Sequence, residues 1–232
     1  MRIGLVGYGK GGRFFHAPLI SSLPGATFVG VVTRSAERRQ QLASDHPDAQ
    51  AFDTLEQLVA AGVDAVVVST PLDGRPAIVM QAIELGVAVV SDKPFAPDAA
   101  QAEAMVLAAE RRNVPLSVYQ NRRWDSDFLT LRKLLASGAL GQVIRFESSV
   151  ERYSPTSVGK GSGGGFLRDL GSHLVDQALQ LFGPVTRVYA ELDYRQPSQV
   201  FDNGFFISLT HASGVISHLS GNCVQNAPRP RF

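Results

Sequence analysis

Short runs of β-branched residues alternate with helical patterns through the first half of this sequence. Predicted strands lie at 3–6, 27–32, 65–68, 87–90 and 116–118. Predicted helices lie between them, near 11–22, 36–45, 55–61, 77–85 and 97–112. The strands show little polar alternation, which is typical of strands that are buried on both faces. Because strand–helix–strand units cross over right-handedly, this alternation predicts a parallel, doubly wound α/β sheet.

The pattern changes after Tyr119, and we divide the chain into domains 1–120 and 121–232. Helices are predicted near 125–135 and 167–181, and strands at 142–150, 186–194, 205–210 and 215–220. A polar Gly/Ser-rich loop is predicted at 152–165. The last two strands are joined by a short turn, which means antiparallel pairing. The second domain is therefore predicted to be α+β.

A glycine-rich turn follows the first strand and reads Gly7-Tyr8-Gly9-Lys10-Gly11-Gly12. It fits the pattern G-x-G-x-x-G, in which Gly7 makes a tight turn and Gly9 lets the backbone approach a pyrophosphate. Gly12 would let the first helix pack closely on the strand. The turn predicts that these six residues bind a dinucleotide and that the first domain is the dinucleotide-binding one.

The end of the second strand bears on the choice of cofactor. A carboxylate there would hold the ribose 2′-hydroxyl of NAD. This sequence instead has Thr33 and Arg34, with Arg38 one turn further on. Hydroxyl and guanidinium groups suit a 2′-phosphate, so the residues favour NADP over NAD. The alternative is that both arginines are simple surface charges at the start of a helix.

Two more strands end in candidate ligand-binding residues. Thr70-Pro71 follows one strand and Asp92-Lys93-Pro94 follows another, at the carboxyl edge where ligands of such sheets bind. Lys93 would point its ammonium group into the same crevice. A lysine at the end of a strand is most often simply exposed, and its position alone leaves that alternative open.

The helix near 167–181 combines a buried stripe with titratable groups. Apolar residues recur at spacings of three and four: Leu167, Leu170, Leu174, Ala178 and Leu181. Asp169, His173 and Asp176 recur in the same way along another stripe, which would place an imidazole beside two carboxylates. Such a group suits proton transfer, although a solvated face or a local ion pair also explains it.

Other reaction classes find little support in the sequence. Only one histidine lies in that stripe, and the single cysteine, Cys223, is distant, so we predict no metal site. No serine or cysteine occupies a strand–turn–helix elbow, which argues against a nucleophilic hydrolase.

Bulk composition narrows the partners and the compartment. The formal net charge of +1 gives no reason to expect nucleic acid or an anionic membrane as a partner. The apolar runs are too short to span a bilayer, and the first strand leaves no room for a signal peptide. One cysteine excludes an intrachain disulfide and fits a reducing compartment. We therefore expect a cytoplasmic protein.

Taken together, these segments resemble the glucose–fructose oxidoreductase / inositol dehydrogenase / MocA-like (Gfo/Idh/MocA) family over essentially the whole chain. The motifs that carry the resemblance are the glycine turn followed by His16-Ala17-Pro18, then Thr70-Pro71, Asp92-Lys93-Pro94, and the segment 164–176. The segments 119–125 and 169–173 more narrowly resemble the NADP-preferring scyllo-inositol dehydrogenase-like branch.

The resemblance implies an N-terminal Rossmann domain and a C-terminal α+β domain whose open, mostly antiparallel sheet often forms an oligomer interface, so we expect a homo-oligomer. It implies that Lys93 contacts the reacting hydroxyl and the nicotinamide ribose, that His173 is the acid/base, and that Asp169 orients the histidine or the substrate. Asn121 is a candidate cofactor contact. Polar groups of 152–165, together with Asn121, Arg123 and Tyr153, are candidates to bind the hydroxyls of a sugar or cyclitol, although each also has a structural explanation.

Two departures from the family pattern matter. Most members carry a histidine after the T-P motif, where this sequence has Arg75. Relatives also continue past a segment such as 227–232 with further strands and a terminal helix, so we expect the second sheet to be incomplete.

The function that follows is an NADP(H)-dependent oxidoreductase that transfers hydride between the nicotinamide and a secondary alcohol of a cyclitol or sugar. In this enzyme the amine of Lys93 from the first domain and the imidazole of His173 from the second would meet at the nicotinamide. One alternative is a dinucleotide-sensing regulator of the same fold without turnover. Another keeps the chemistry and changes the substrate to an amino sugar, an aldose or a tetrapyrrole.

Overall fold

The computed structural model describes residues 1–154, 164–194 and 200–232. The chain divides into two compact units, Met1–Tyr119 and Gln120–Phe232. Most of the Gly/Ser-rich loop that was predicted to bind substrate hydroxyls, residues 155–163, lies outside the described residues.

The first unit is built on a parallel sheet of six strands. They are β1 (Arg2–Val6), β2 (Thr27–Val32), β3 (Gln50–Phe52), β4 (Ala65–Val68), β5 (Ala88–Ser91) and β6 (Leu116–Val118). Their order in the sheet is β3-β2-β1-β4-β5-β6, and every neighbouring pair is parallel. The doubly wound sheet is thus confirmed. The strand order reverses between β1 and β4, and ligands of such sheets bind outside the carboxyl ends at that point.

Helices cover both faces of this sheet. They are α1 (Ala17–Ser22), α2 (Ala36–Asp45), α3 (Leu55–Ala60), α4 (Arg75–Glu84) and α5 (Ala99–Arg112), with a 3₁₀ turn at Leu72–Gly74. Three of them start at side-chain caps that accept a backbone N–H: Ser35, Thr54 and Asp98. Helices α3, α4 and α5 pack on one face of the sheet. The core between them and the sheet includes Leu58 of α3, Val66 of β4 and Ile83 of α4, each fully buried.

Two local features differ from the prediction. Strand β3 was not predicted, because three residues are too few to show a period. The first helix was predicted as one piece over 11–22, but it begins as a π-helical turn at Gly12–His16 before α1. Single π turns inside helices are often found at functional sites.

Gly12 lies where the first helix comes closest to the end of β1. A Cβ atom at this position would stand 2.1 Å from the carbonyl oxygen of Gly7, a backbone atom that no side-chain rotation can move away. We expect Gly12→Ala to lower the free energy of unfolding by at least about 2 kcal/mol through overpacking, as measured by thermal and denaturant melts of the full chain.

Gly74 supplies the matched control for this substitution. Its backbone is αR, and a Cβ atom there would have no described atom within 4 Å. Gly74→Ala is expected to change the free energy of unfolding by less than about 0.5 kcal/mol. Equal losses from the two alanine variants would contradict the close-packing role of Gly12.

The second unit contains a mixed sheet of four strands. Its elements are a 3₁₀ turn at Asn121–Trp124, α6 (Ser126–Ala136), β7 (Arg145–Glu151), a π turn at Leu167–Gly171, α7 (Ser172–Phe182), β8 (Val185–Asp193), β9 (Gly204–His211) and β10 (Ile216–Asn222). The order is β7-β10-β9-β8, with β7 and β10 parallel and the other pairs antiparallel. The predicted α+β architecture with a mostly antiparallel sheet is confirmed.

One face of this sheet packs against the helix that was predicted to carry a buried stripe. Leu170, Leu174 and Ala178 are buried in the core with Phe205 and Leu219 of the sheet, and Leu167 and Leu181 pack at its edge. Strand β8 lies at the sheet edge and is mostly exposed. Assembly of several copies through this sheet stays a prediction.

Within 1–154, 164–194 and 200–232, no helix is both long enough and apolar enough to cross a bilayer. The same residues contain no group of three or more His, Cys, Asp and Glu side chains that could hold a metal ion.

Candidate functional site

The glycine turn leaves backbone exposed at the end of β1. Gly7 has a φ of +97°, its N–H donates to the carbonyl of Val32, and a Cβ there would lie 2.6 Å from the carbonyl oxygen of Ser69. Gly9 is open by contrast, because the nearest atom to a Cβ there would be Nη2 of Arg38, at 3.8 Å. A phosphate could therefore approach the backbone at Gly9 and meet a guanidinium group on the same side.

The side chain between these glycines points into the protein. The hydroxyl of Tyr8 donates to Asp45 at 3.0 Å, and burial together with that carboxylate raises the pKa of Tyr8 to about 12. Arg13 holds the same carboxylate through two hydrogen bonds, at 2.6 and 3.0 Å. These contacts anchor the turn against α2, so Tyr8 can contribute to a cofactor site only through its backbone. Lys10 is exposed.

A cleft of about 620 Å³ opens at the carboxyl edge of the sheet. Five of the predicted cofactor residues line it: Gly7, Thr33, Arg34, Arg38 and Thr70. Asp53 and Glu56 also line this cleft, and Asp53 is paired with Arg39 at 2.6 Å. The cleft thus brings together the glycine turn and the residues that follow β2, as their shared sheet edge predicts.

The residues in and beside this cleft can hold a dinucleotide. The hydroxyl oxygen of Thr70 is buried and has no hydrogen-bond partner among the described residues, so a ligand group could bind to it. Because Gly9 has no Cβ atom, the space between its backbone and Arg38 stays open to a ligand. The guanidinium groups of Arg34 and Arg38 can bind phosphate oxygens. Pro71, which was also predicted to contact the cofactor, is exposed beside Thr70.

Asp92 is the centre of a polar cluster at the end of β5. Its Oδ2 accepts a hydrogen bond from Ser69 at 2.9 Å and lies 3.2 Å from Nε2 of His16, and its Oδ1 accepts the backbone N–H of Lys93 at 2.8 Å. The ring of His16 packs on Tyr119 with centroids 4.4 Å apart. Burial tends to raise the pKa of Asp92, but His16 and Ser69 outweigh it and lower that pKa below its usual value.

This cluster fixes the backbone of the predicted catalytic lysine. Lys93 is half-buried and precedes a cis peptide bond to Pro94. Sequence reasoning treated Asp92 and His16 only as parts of motifs. It missed that they contact each other, because they stand 76 positions apart in the chain.

Asp169 and His173 lie at the junction of a π turn and a regular helix in the second unit. Asp169 belongs to the π turn and is half-buried, whereas His173 is in the first turn of α7 and is only 4% exposed. The prediction assumed regular α-helical spacing between the two. A π turn contains more residues per turn than an α-helix. The angle about the helix axis between the side chains of Asp169 and His173 therefore differs from the one that regular spacing predicts.

Asp202 holds the start of this helical segment. One carboxylate oxygen accepts the N–H of Leu167 at 2.8 Å, and its backbone carbonyl accepts the N–H of Phe166 at 3.1 Å. Gly165 has a φ of +105°, and a Cβ there would lie 2.2 Å from the Asp202 carboxylate. Sequence reasoning missed Asp202, which comes 35 residues after Leu167 and belongs to no local pattern.

Asp176 and Arg123 form an ion pair. Two nitrogens of the guanidinium group contact the two carboxylate oxygens at 2.8 and 2.5 Å, and the carboxylate raises the pKa of Arg123. Arg123 was predicted to bind substrate, and Asp176 to lie beside the imidazole. The pair braces the 3₁₀ turn against α7, and the substrate-binding role of Arg123 stays a prediction.

The remaining predicted residues lie elsewhere in the second unit. Asn121 is half-buried at the start of the 3₁₀ turn. Tyr153 is 64% exposed and its backbone pairs with Val224. Lys93 belongs to the first unit and His173 to the second, so the meeting of amine and imidazole stays a prediction.

Known proteins match both parts of the chain. The family model described as "Oxidoreductase family, NAD-binding Rossmann fold" matches residues 1–120. The model described as "GFO/IDH/MocA C-terminal domain" matches residues 128–232.

Individual relatives are similar over nearly the whole chain. Identity is 33% to scyllo-inositol 2-dehydrogenase (NADP(+)) IolW of Bacillus subtilis, covering 100% of this chain and 65% of that protein. It is 31% to D-apiose dehydrogenase of Paraburkholderia graminis, covering 94% of this chain and 59% of that protein. A solved structure of an NAD-binding protein from Listeria innocua has a TM-score of 0.89 and 30% identity, covering 99% of this chain and 69% of that one. The chain therefore spans less than two thirds of the length of these two curated relatives.

Proposed function

We propose that this chain, which belongs to the GFO/IDH/MocA oxidoreductase family, is an NADP(H)-dependent dehydrogenase or reductase acting on a secondary alcohol of a cyclitol or sugar. The observation that carries the proposal is the shared sheet edge, where the glycine turn, the arginine-lined cleft and Lys93 all follow parallel strands. The named activity of the Bacillus subtilis relative, a scyllo-inositol dehydrogenase that uses NADP(+), supports it.

The cofactor would be held by residues of the first unit. Backbone at Gly9 would receive the pyrophosphate, the buried hydroxyl of Thr70 would bind a polar group of the cofactor, and Arg34 and Arg38 would bind the 2′-phosphate. When bound, the nicotinamide supplies the chemistry of accepting or donating hydride at its C4 atom.

The protein groups handle the proton and the charge of the reacting hydroxyl. In the oxidation direction, a neutral imidazole of His173 accepts the hydroxyl proton at a ring nitrogen, a service worth roughly 10²–10⁴ in rate. The ammonium group of Lys93 stabilises the negative charge that develops on the oxygen. Asp169 fixes the imidazole tautomer.

NADP is favoured over NAD by the balance of charge in the cleft. Asp53 lines the cleft and its carboxylate could bind a ribose hydroxyl, but Arg39 pairs with it at 2.6 Å. Arg34 and Arg38 are exposed and line the same cleft. The cleft thus has two arginines, one carboxylate that Arg39 neutralises, and Glu56, which accepts a hydrogen bond from the neutral amide of Gln81. This excess of cations suits a phosphate dianion better than a hydroxyl.

Removing either cation should weaken NADP(H) selectively. Arg34→Gln and Arg38→Gln are each expected to weaken NADP(H) binding by about 10- to 100-fold, because hydrogen bonds between charged groups are worth about 1.5–3 kcal/mol. NAD(H) affinity should change by less than about threefold. The measurement is titration of nicotinamide fluorescence with both cofactors.

The control is Arg111→Gln, which removes an exposed arginine on α5 that does not line the cleft. It should leave both affinities unchanged. Equal weakening of NADP(H) and NAD(H) in the Arg34 and Arg38 variants would contradict 2′-phosphate recognition and would favour simple surface charge.

The function itself is tested by absorbance in the reduced-nicotinamide band. Cyclitols, aldoses, amino sugars and a tetrapyrrole are offered with NADP⁺, NAD⁺ or the reduced forms. We expect turnover with a cyclitol or sugar and faster rates with NADP(H). Binding of NADP(H) with no turnover of any compound would overturn the catalytic proposal and favour a dinucleotide-sensing regulator.

A further inference from the structure

Arg75 is a buried cation that contacts backbone. It is the first residue of α4 and is only 5% exposed. Its guanidinium group donates four hydrogen bonds to three carbonyl oxygens. Nε and Nη2 donate to Thr70 at 3.2 and 2.6 Å, and Nη1 donates both to Asp92, at 2.7 Å, and to Pro94.

The three carbonyls that accept these hydrogen bonds lie in the two segments that follow β4 and β5. Asp92 and Pro94 are the two neighbours of Lys93 in the chain, so one nitrogen holds the backbone on both sides of the lysine. Thr70 follows β4, the strand next to β5, and its buried hydroxyl lines the cleft. Arg75 thereby joins the two loops that contribute Lys93 and Thr70.

The electrostatics of this contact reinforce its geometry. Burial lowers the pKa of Arg75, and the charge of Asp92 opposes that shift. A guanidinium group stays protonated in proteins even so. In return, the positive charge of Arg75 contributes to the lowered pKa of Asp92, whose carboxylate accepts the N–H of Lys93.

We propose that Arg75 is a positioning residue for Lys93. Its rigid, planar fork fixes the segment 92–94 against Thr70 and so sets where the ammonium group of Lys93 lies relative to the cleft. The role assigned to Lys93 rests on the proposed function, whereas the fixing of the backbone does not. A lysine at position 75 would keep the charge but could not reproduce the fork.

Hydrogen exchange of the full chain without cofactor tests the backbone part. The N–H of Asp92 donates to Val68 and that of Lys93 to the Asp92 carboxylate, so both amides report on this segment. In Arg75→Lys we expect exchange of peptides covering 69–74 and 92–95 to rise at least tenfold, with β1 and α5 unchanged. Wild-type exchange rates at those peptides would overturn the proposal.

Arg2→Lys is the matched control. Arg2 also donates from its guanidinium group to backbone carbonyls, those of Gly62 and Ala61, at 2.5 and 3.0 Å. It lies at the amino end of β1, opposite to the edge that bears the cleft. This variant should leave exchange at 69–74 and 92–95 unchanged, and a rise equal to that of Arg75→Lys would overturn the proposal.

Kinetics test the link to Lys93. Arg75→Lys is expected to lower kcat at least tenfold, and to cause no further loss of kcat in a Lys93→Met background. NADP(H) affinity is measured separately, because Arg75 also holds Thr70, whose hydroxyl lines the cleft. Full, independent losses in the double variant would show that Arg75 does not act through Lys93. Arg75→Met serves as a second variant if it folds, and Arg75→Lys suffices if it does not. Hydrogen exchange needs no turnover. It therefore still tests whether Arg75 fixes the backbone of segment 92–94 if the proposed function is wrong.

Discussion

Replacing Lys93 with methionine is expected to lower kcat by about 10²–10³-fold, because removing one donor that faces developing oxyanion charge typically has that effect. Methionine keeps the length of the side chain and removes its charge. The affinity for NADP(H) should change by less than about threefold, since the contacts that grip the phosphates lie at the glycine turn and around Arg34 and Arg38. Steady-state absorbance of the reduced nicotinamide at saturating substrate measures kcat, and fluorescence titration measures affinity.

Lys133→Met is the matched control for this variant. Lys133 is exposed on α6 of the second unit, and its replacement removes the same charge from a residue that does not line the cleft. It should keep wild-type turnover. A Lys93→Met variant that turns over within threefold of the wild type would remove the lysine from the mechanism and leave the first unit as a binding domain.

The parts of this structure that sequence patterns predicted are those specified by neighbouring residues. Three of the four residues of β4 (Ala65–Val68) are buried valines, so the composition of the run identifies it as a strand covered on both faces. The glycine turn was predicted because steric exclusion leaves only glycine at Gly7 and Gly12. The leucine stripe of α7 was predicted because its helical period is undisturbed from Leu174 onward.

The parts that were missed depend on contacts between distant residues. Asp202 caps a helix 35 positions earlier, and His16 meets Asp92 across 76 positions. Neither contact leaves a periodic signal in the sequence, because each joins a loop to a π turn through a single side chain. Arg75 was noticed only as a departure from a family pattern, and its four hydrogen bonds to carbonyls could not be foreseen from spacing.

The ion pair of Arg123 and Asp176 shows what a residue's position in the chain leaves out. Arg123 and Asp176 stand on adjacent elements, and each was assigned a role toward substrate or imidazole from its position in the chain. The structure pairs them at 2.5 Å, with the carboxylate mostly buried. The pair uses two of the five N–H donors of the guanidinium group, so a role toward substrate stays a prediction.

Replacing His173 with asparagine is expected to lower kcat by about 10²–10⁴-fold, the range that general acid–base catalysis supplies. Asparagine approximates the size of the ring and keeps one polar group, but it cannot accept the hydroxyl proton. Because a protonated imidazole cannot act as a base, the wild type should lose activity on the acidic side of its pH–rate profile, and the variant should lack that limb. The measurement is kcat across pH in the oxidation direction.

His218→Asn is the matched control, since His218 is a half-buried histidine on β10 of the same unit. It should keep both the rate and the acidic limb. Thermal melts separate lost catalysis from lost folding, because His173 is 4% exposed and its replacement also perturbs the start of α7. A folded His173→Asn variant that retains the wild-type pH–rate profile would place the base elsewhere, since an ionisation that survives removal of the imidazole cannot belong to it.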